Sequence, residues 1–329
     1  MPACAGAAAS CAVPAAAARL AMNEEPKMSH RVVREEVAFD ADGVALRGWL
    51  YRPAGVPAPA PVVVMSHGWS LVKEAYLDRY AQVFADAGLA VLVYDQRGFG
   101  DSDGLPRQEI DPWRQVEDCR HALTFAAACA GIDPARIGLW GTSYSGAHAL
   151  QVAATDRRVK AVVAQVPGLA GYRNGLRRGS YERGEALQAA FAADRLAVLR
   201  GGDRARRPVV GAADALFPSE DAQAFFDAAA AIAPNWRNWT TLRSVEWSRG
   251  YEPAAFAAAV SPTPLLLIVA RHDYISGTDF QLQAYAQALH PKRLVMLDGG
   301  HFAPYVEQFA ASSQAAAAWF VEHLQASPG

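Results

Sequence analysis

Six residues, Gly141-Thr142-Ser143-Tyr144-Ser145-Gly146, follow the apolar run "RIGLW" and lead into the helix-forming stretch "AHALQVAA". A serine on such a strand-to-helix corner presents its hydroxyl above the sheet, where it can act as a nucleophile. That hydroxyl is weak until a base takes its proton and a third group orients the base. The corner therefore makes a demand on the rest of the chain. An acid must follow a later strand, and a histidine must follow the last one. "LLLIVARHDYIS" supplies Asp273 and "LVMLDGGHFAPY" supplies His301. Taken singly, Asp273 is equally a cap for a helix beginning near Ser276, and His301 an ordinary loop histidine. Filled together and in order, the three positions predict a triad of Ser143 as nucleophile, His301 as base and Asp273 as orienting acid.

The usual pattern around such a serine is G-x-S-x-G. Here Ser145 stands where the second glycine belongs, a departure that a small side chain can accommodate. Developing negative charge on a carbonyl oxygen also needs donors. "VVVMSHGWS" places His67-Gly68-Trp69 at the end of an earlier buried run. Gly68 allows a turn that aims a backbone N–H at the site. The expected oxyanion donors are the N–H groups of Trp69 and Tyr144, the latter at a helix start.

These residues need a sheet to carry them. "RVVREEVAFD" and "VALRGWLYRP" alternate in polarity on either side of Asp42-Gly43, a hairpin signal. "PVVVMSHG", "LAVLVYDQRG", "RIGLWG", "VKAVVAQVP", "TPLLLIVARHD" and "KRLVMLDGG" read as buried strands. Between them lie helical stretches. One places Leu77, Tyr80, Ala81 and Phe84 on a single face and ends at Gly88. Another places Trp113, Val116, Leu123 and Ala127 at helical spacing, with Asp111 and Pro112 suited to its N-cap and first turn. The alternation predicts a mostly parallel eight-stranded sheet with helices on both faces, opened by an antiparallel hairpin.

Residues 167–263 break that rhythm, being Ala- and Arg-rich without a β-rich run. They are too many for a bare loop and are expected to form a helical lid over the C-terminal edge of the sheet. The core is then 31–166 with 264–329. Trp236, Trp239 and Trp247, near the end of the lid, either line a substrate pocket or anchor the lid to the sheet. Arg173, Arg177, Arg178, Arg183, Arg195, Arg200, Arg204, Arg206 and Arg207 read as a solvated helical face paired with acids, ahead of a site for a phosphate-bearing acyl carrier. Asp95, in "YDQRGFGDSDG", ends a strand beside the site and reads as structural, with Arg97 and Gly98 shaping its turn. Residues 1–30 read as a disordered extension or an early start codon, with Met22 or Met28 as the true beginning.

The chain has 329 residues, 52% hydrophobic and 19% charged, which is the balance of a globular protein. A net charge of -2 gives no field for nucleic acid or an anionic membrane, and no apolar run is long enough to span a bilayer. Four cysteines are present, without a metal-binding spacing. Cys119 and Cys129 stand ten residues apart on one expected helix, about 15 Å, too far for a disulfide. A reducing, cytoplasmic compartment is expected.

His67-Gly68-Trp69, "YDQRGFGDSDG", "GTSYSG", "ARHD" and "GGHF" together resemble the α/β-hydrolase superfamily. Within it the chain is most similar to dienelactone-hydrolase-related serine esterases and acyl-transferring relatives of natural-product pathways. The resemblance implies the α/β-hydrolase fold and the same three roles for Ser143, His301 and Asp273. A dehalogenase or epoxide hydrolase on this fold is expected to carry Asp at the nucleophile position, and Ser143 argues against both. A prolyl-peptidase-like enzyme is expected to carry a large extra domain, and too little chain precedes His67 for one. The expected chemistry is cleavage of an ester, thioester or lactone of a small-molecule acyl substrate through an acyl-enzyme, with no metal or organic cofactor. An acyltransferase would use the same triad; a non-catalytic ligand-binding protein on this fold is the remaining alternative. Oligomeric state, a homodimer included, is left open.

Overall fold

The computed structural model describes residues 32–177 and 181–325. The extension expected over 1–30, Arg178, and Cys4 and Cys11 lie outside the described residues.

Strands β1 (Val32–Ala41) and β2 (Val44–Pro53) form the expected hairpin around Asp42-Gly43. There follow β3 (Ala60–Ser66), α1 (Leu77–Asp86), β4 (Ala90–Tyr94), α2 (Pro112–Ala128), β5 (Ile132–Thr142), α3 (Tyr144–Thr155) and β6 (Val159–Gln165). The segment between β6 and the next sheet strand holds α4 (Gly171–Arg177), α5 (Tyr181–Leu199) and α6 (Glu220–Ile232). It also holds a two-stranded ribbon, β7 (Arg206–Arg207) against β8 (Thr240–Thr241), and then α7 (Leu242–Arg249). β9 (Leu265–Ala270), α8 (Thr278–Gln287), β10 (Lys292–Leu297) and α9 (Phe309–Leu324) complete the chain.

The eight long strands make one sheet in the order β1-β2-β4-β3-β5-β6-β9-β10. β2 runs antiparallel to both of its neighbours, β1 and β4, while β3, β4, β5, β6, β9 and β10 are parallel to one another. All eight coincide with runs legible in the sequence. Side chains of a strand alternate between faces, and here both faces are covered. Val62, Val64, Leu265, Leu267 and Val269 pack with α2 and α3. Val63, Met65, Leu266 and Ile268 pack with α1 and α9. Each such side chain contributes about 1.5–3 kcal/mol by leaving water. Double coverage is why these strands read as unbroken apolar runs instead of alternating ones.

Asp111 caps α2, accepting from the N–H groups of Trp113 and Arg114, with Pro112 in the first turn. That helix departs from the sequence reading at Trp113, which is 48% exposed, and at Ala127, which is only partly buried. The buried face runs instead through Gln115, Val116, Cys119, Ala122, Leu123 and Ala126. Gln115 and Asp118, polar residues, are buried with it because His148 and Arg97 bind them. Among the described residues no helix is long and apolar enough to cross a membrane. Cys119 and Cys129 are both free thiols.

The six parallel strands bring the loops after β3, β5, β9 and β10 to one edge of the sheet. The helical segment 167–263 faces that same edge. Ligands of open parallel sheets bind there.

Candidate active site

Ser143 sits between the last residue of β5 and the first of α3, with φ 54° and ψ -117°. This is a left-handed backbone that a non-glycine residue holds only under constraint. The constraints are visible. Ser143 N–H donates to the Gln165 carbonyl at 2.8 Å, and its own carbonyl accepts from Gly146 and Gly168. A Cβ at Gly141 would collide with the Ser145 carbonyl, so the turn closes only over glycine. Ser145, at the position where a glycine is usual, is 1% exposed. Its hydroxyl accepts from Thr142 N–H at 2.9 Å and donates to the Ser66 carbonyl at 2.7 Å.

His301, 2% exposed, lies in the loop after β10. Its Nε2 is 2.9 Å from Ser143 Oγ and its Nδ1 is 2.9 Å from Asp273 Oδ2. Asp273, in the loop after β9, is satisfied on both oxygens. Oδ1 accepts from the N–H groups of Ile275 (3.0 Å) and Ser276 (2.8 Å), and Oδ2 also accepts from Gln281 Nε2 at 2.8 Å. Burial alone would raise this carboxyl; attraction to His301 and the four hydrogen bonds outweigh it and hold it below the ordinary carboxylate range. With the carboxylate on Nδ1–H, Nε2 is left as the acceptor for the serine hydroxyl. The helix that follows, α8, starts at Thr278 with Gly277 as its N-cap and no side-chain cap bond, so Asp273 does not cap it.

Gly68 passes directly over the serine: a Cβ there would lie 3.0 Å from Ser143 Cβ and 3.5 Å from its Oγ. His67 fixes this turn from beneath, with Nε2 accepting from Gln96 N–H at 3.0 Å and Nδ1–H donating to the Gly68 carbonyl at 2.9 Å. Burial keeps His67 neutral, its pKa lowered to about 4. The Trp69 ring meets the Tyr144 ring edge-on at 4.9 Å. The Tyr144 N–H, as the first residue of α3, has no intrahelical acceptor.

A polar network ties the serine corner to the histidine loop. Thr142 Oγ1 shares a hydrogen bond with Tyr305 OH at 2.5 Å and accepts from Gln165 Nε2 at 3.1 Å. Tyr80 OH lies 3.1 Å from Gln165 Oε1, and the Pro304 carbonyl accepts from it. All of these side chains are buried. None stood out in the sequence, because Tyr, Gln and Thr carry no chemistry-bearing spacing of their own.

The carboxylate on His301 is that of Asp273, and Asp95 is engaged elsewhere. It accepts from Lys73 N–H at 2.7 Å and Lys73 Nζ at 2.9 Å. Burial lifts the Asp95 carboxyl and works against the Lys73 charge; the attraction of Asp95 and the hydrogen bonds that Lys73 donates to Asp101, Asp95 and Glu74 keep the ammonium charged. The carboxylates of Glu74, Asp95 and Asp101 converge closely enough for a cation, and the Lys73 ammonium is that cation. Arg97 pairs with Asp118.

Ser143, Trp69 and Tyr144 open into a cavity of about 1770 Å³ between the sheet edge and α4, α5 and α7. Its walls include Leu176, Leu187, Leu216, Phe217, Ile275 and Leu282. A second hollow of about 20 Å³, between Gly68, Ser143, His301, Phe225 and Phe302, has room for about one water. Trp236, Trp239 and Trp247 do not line the cavity. Trp236 stacks on Phe226 at 5.5 Å, while Arg206 covers Trp239 and Arg243 covers Trp247. Three of the segment's arginines, Arg177, Arg195 and Arg204, pair with Asp279, Glu246 and Asp194.

Comparison with known proteins gives this geometry a lineage. The family model of the X-Pro dipeptidyl-peptidase (S15 family) matches residues 42–303. The thiohydrolase aneE of Aspergillus aculeatus is 34% identical over 267 residues, covering 79% of this chain and 83% of that protein. The polyketide transferase ATR5 of Stachybotrys chlorohalonatus is 32% identical over 283 residues, covering 82% of this chain and 90% of that protein. The solved structure of the alpha/beta hydrolase GrgF from Penicillium sp. sh18 superposes with a TM-score of 0.77 at 28% identity, covering 89% of this chain and 100% of that one. The chain belongs to the X-Pro dipeptidyl-peptidase (S15) family of hydrolase-type enzymes, with the α/β-hydrolase fold.

Proposed function

We propose that this protein is a serine hydrolase that cleaves a carboxylic ester, thioester or lactone through an acyl-enzyme on Ser143. The observation that carries the reading is His301 placed 2.9 Å from both Ser143 Oγ and Asp273 Oδ2. His301 Nε2 takes the hydroxyl proton as Ser143 Oγ attacks the carbonyl carbon. The backbone N–H groups of Trp69 and Tyr144 hold the oxyanion, and losing one such donor costs on the order of 100-fold in rate. The imidazolium, steadied by Asp273, then protonates the departing alcohol or thiol. Water, activated by the same nitrogen, releases the acid and restores Ser143. The segment 167–263 acts as the lid over this reaction. Two free thiols, Cys119 and Cys129, support a reducing, cytoplasmic setting.

A relative named as a thiohydrolase supports the thioester among these substrates. A relative named as a polyketide transferase, and a cavity with room for an acceptor beside the acyl group, favour acyl transfer as the second reading. The two differ only in what captures the acyl-enzyme. The test offers the enzyme p-nitrophenyl esters, N-acetylcysteamine thioesters and Ala-Pro p-nitroanilide, with and without an alcohol acceptor. Free acid from esters or thioesters is expected. An acyl-acceptor product would move the assignment to transferase, and cleavage of the anilide alone would move it to peptidase.

A further inference from the structure

The charges on the cavity walls differ in how they are neutralised. Arg177 is held by both oxygens of Asp279 at 2.6 Å, and Arg271 by Asp298 at 2.7 Å. Of the acids lining the cavity, Glu185 and Asp214 are exposed and solvated. Arg207 and Arg249 are half-buried, and among the described residues neither has a carboxylate within ion-pair distance.

Both are built in. Arg207 is carried by the β7–β8 ribbon opposite Thr240. Its Nε donates to the Asp214 carbonyl at 2.7 Å, which orients the group while leaving both terminal nitrogens. Burial lowers its pKa; the Arg183 charge adds to this and Asp214 opposes it. The Arg249 guanidinium lies against the bare face of Gly175, where a Cβ would come within 2.9 Å of Nη1 and 3.3 Å of Cζ. Any side chain at 175 would push it aside. Half-burying a guanidinium without a counter-charge costs free energy that folding does not return. A carboxylate or phosphate on the fork returns it.

We infer that the cavity receives an acyl substrate bearing, away from the scissile carbonyl, an anionic oxygen group that Arg207 or Arg249 holds. The inference rests on the acyl-enzyme reading for the position of the carbonyl. The cavity, at about 1770 Å³, exceeds the roughly 300–1,000 Å³ of ordinary small-molecule sites, so an apolar chain and a distal charged group both fit. The anion has two sources, the far end of the acyl chain or the leaving thiol.

The experiment compares four thioesters: decanoyl and ω-carboxydecanoyl chains, each on N-acetylcysteamine and on pantetheine 4′-phosphate. The quantity read is the ratio of kcat/KM for an anionic substrate to its neutral counterpart, within each of wild type, Arg207→Met and Arg249→Met. Taking the ratio inside one protein cancels any general loss of folded enzyme. Wild type is expected to prefer one anionic arm by about 10-fold or more, and the preferred arm names the source. That preference is expected to fall toward unity in at least one variant and to return in part with Arg→Lys. Equal rates on all four substrates, or a preference unchanged in both variants, would overturn the inference. Calorimetric binding of decanedioate against decanoate, and of pantetheine 4′-phosphate against pantetheine, to Ser143→Ala reads the same preference without chemistry. A binding preference without turnover would indict the acyl-enzyme alone; no binding preference would remove the anion site.

Discussion

Ser145 Oγ donates to the Ser66 carbonyl at 2.7 Å, so the corner that carries Ser143 is tied to the end of the strand that leads into Gly68-Trp69. The same oxygen accepts from the buried Thr142 N–H. A glycine, the usual residue here, makes neither bond. Ser145→Ala and Ser145→Gly are therefore both expected to lose about 1–3 kcal/mol, because Thr142 N–H is left buried without an acceptor. Urea denaturation of the two variants checks this. A glycine variant as stable as wild type would show the hydroxyl to be dispensable.

Strain at Ser143 makes a second prediction. Alanine normally outperforms glycine outside special conformations by about 0.5–1 kcal/mol. At φ 54° and ψ -117° the order is expected to reverse. Ser143→Gly should be more stable than Ser143→Ala by on the order of 1 kcal/mol, although both lack the hydroxyl. Thermal melts of the pair measure it, and the ordinary order would mean the corner is unstrained.

Acid should destabilise the fold well before the carboxylates titrate. His67 and His148 are buried, and burial depresses their pKa values to about 4 and about 3. The unfolded chain binds a proton on each near pH 6.5, while the folded chain refuses it. Unfolding thus takes up protons below pH 6.5, and stability falls as the pH falls. By pH 5 the loss is about 2 kcal/mol for each histidine. Urea midpoints at pH 8, 7, 6 and 5 test the slope. A flat profile over that window would mean that one or both histidines accept a proton in place.

Asp273→Asn should preserve the fold and cripple turnover. The amide keeps an acceptor for Ile275 and Ser276 but presents no charge to His301, and its NH2 favours the wrong tautomer of the ring. A fall in kcat of about 10³–10⁴-fold is expected. The far-UV spectrum and melting curve separate this loss from unfolding. A fall of less than tenfold would mean that another group orients His301.

Much of this arrangement is legible in the chain because its physics is local. Strands covered on both faces must be apolar at every position, so β3, β4 and β9 announce themselves, while β1 and β2 show themselves by alternation around Asp42-Gly43. Ser143, Asp273 and His301 each follow such a strand, and parallel order alone brings their loops to one edge. What the sequence hides is long-range. Tyr305 and Thr142 are 163 positions apart, and nothing in either residue type marks them as neighbours. The sequence leaves Trp236, Trp239 and Trp247 between pocket and anchor, and only packing places them on Phe226, Arg206 and Arg243. Trp113 falls on the solvent side of α2 because Gln115 and Asp118 find buried partners, a polar satisfaction that hydrophobic spacing does not register.

The central claim is that Ser143 carries the acyl group. Intact-protein mass spectrometry after a fluorophosphonate, run beside p-nitrophenyl ester turnover on wild type and Ser143→Ala, tests it most directly. One adduct that maps to Ser143 is expected on wild type, none on the variant, and turnover by wild type only. Turnover by a folded Ser143→Ala protein, or an adduct on another residue, would contradict it.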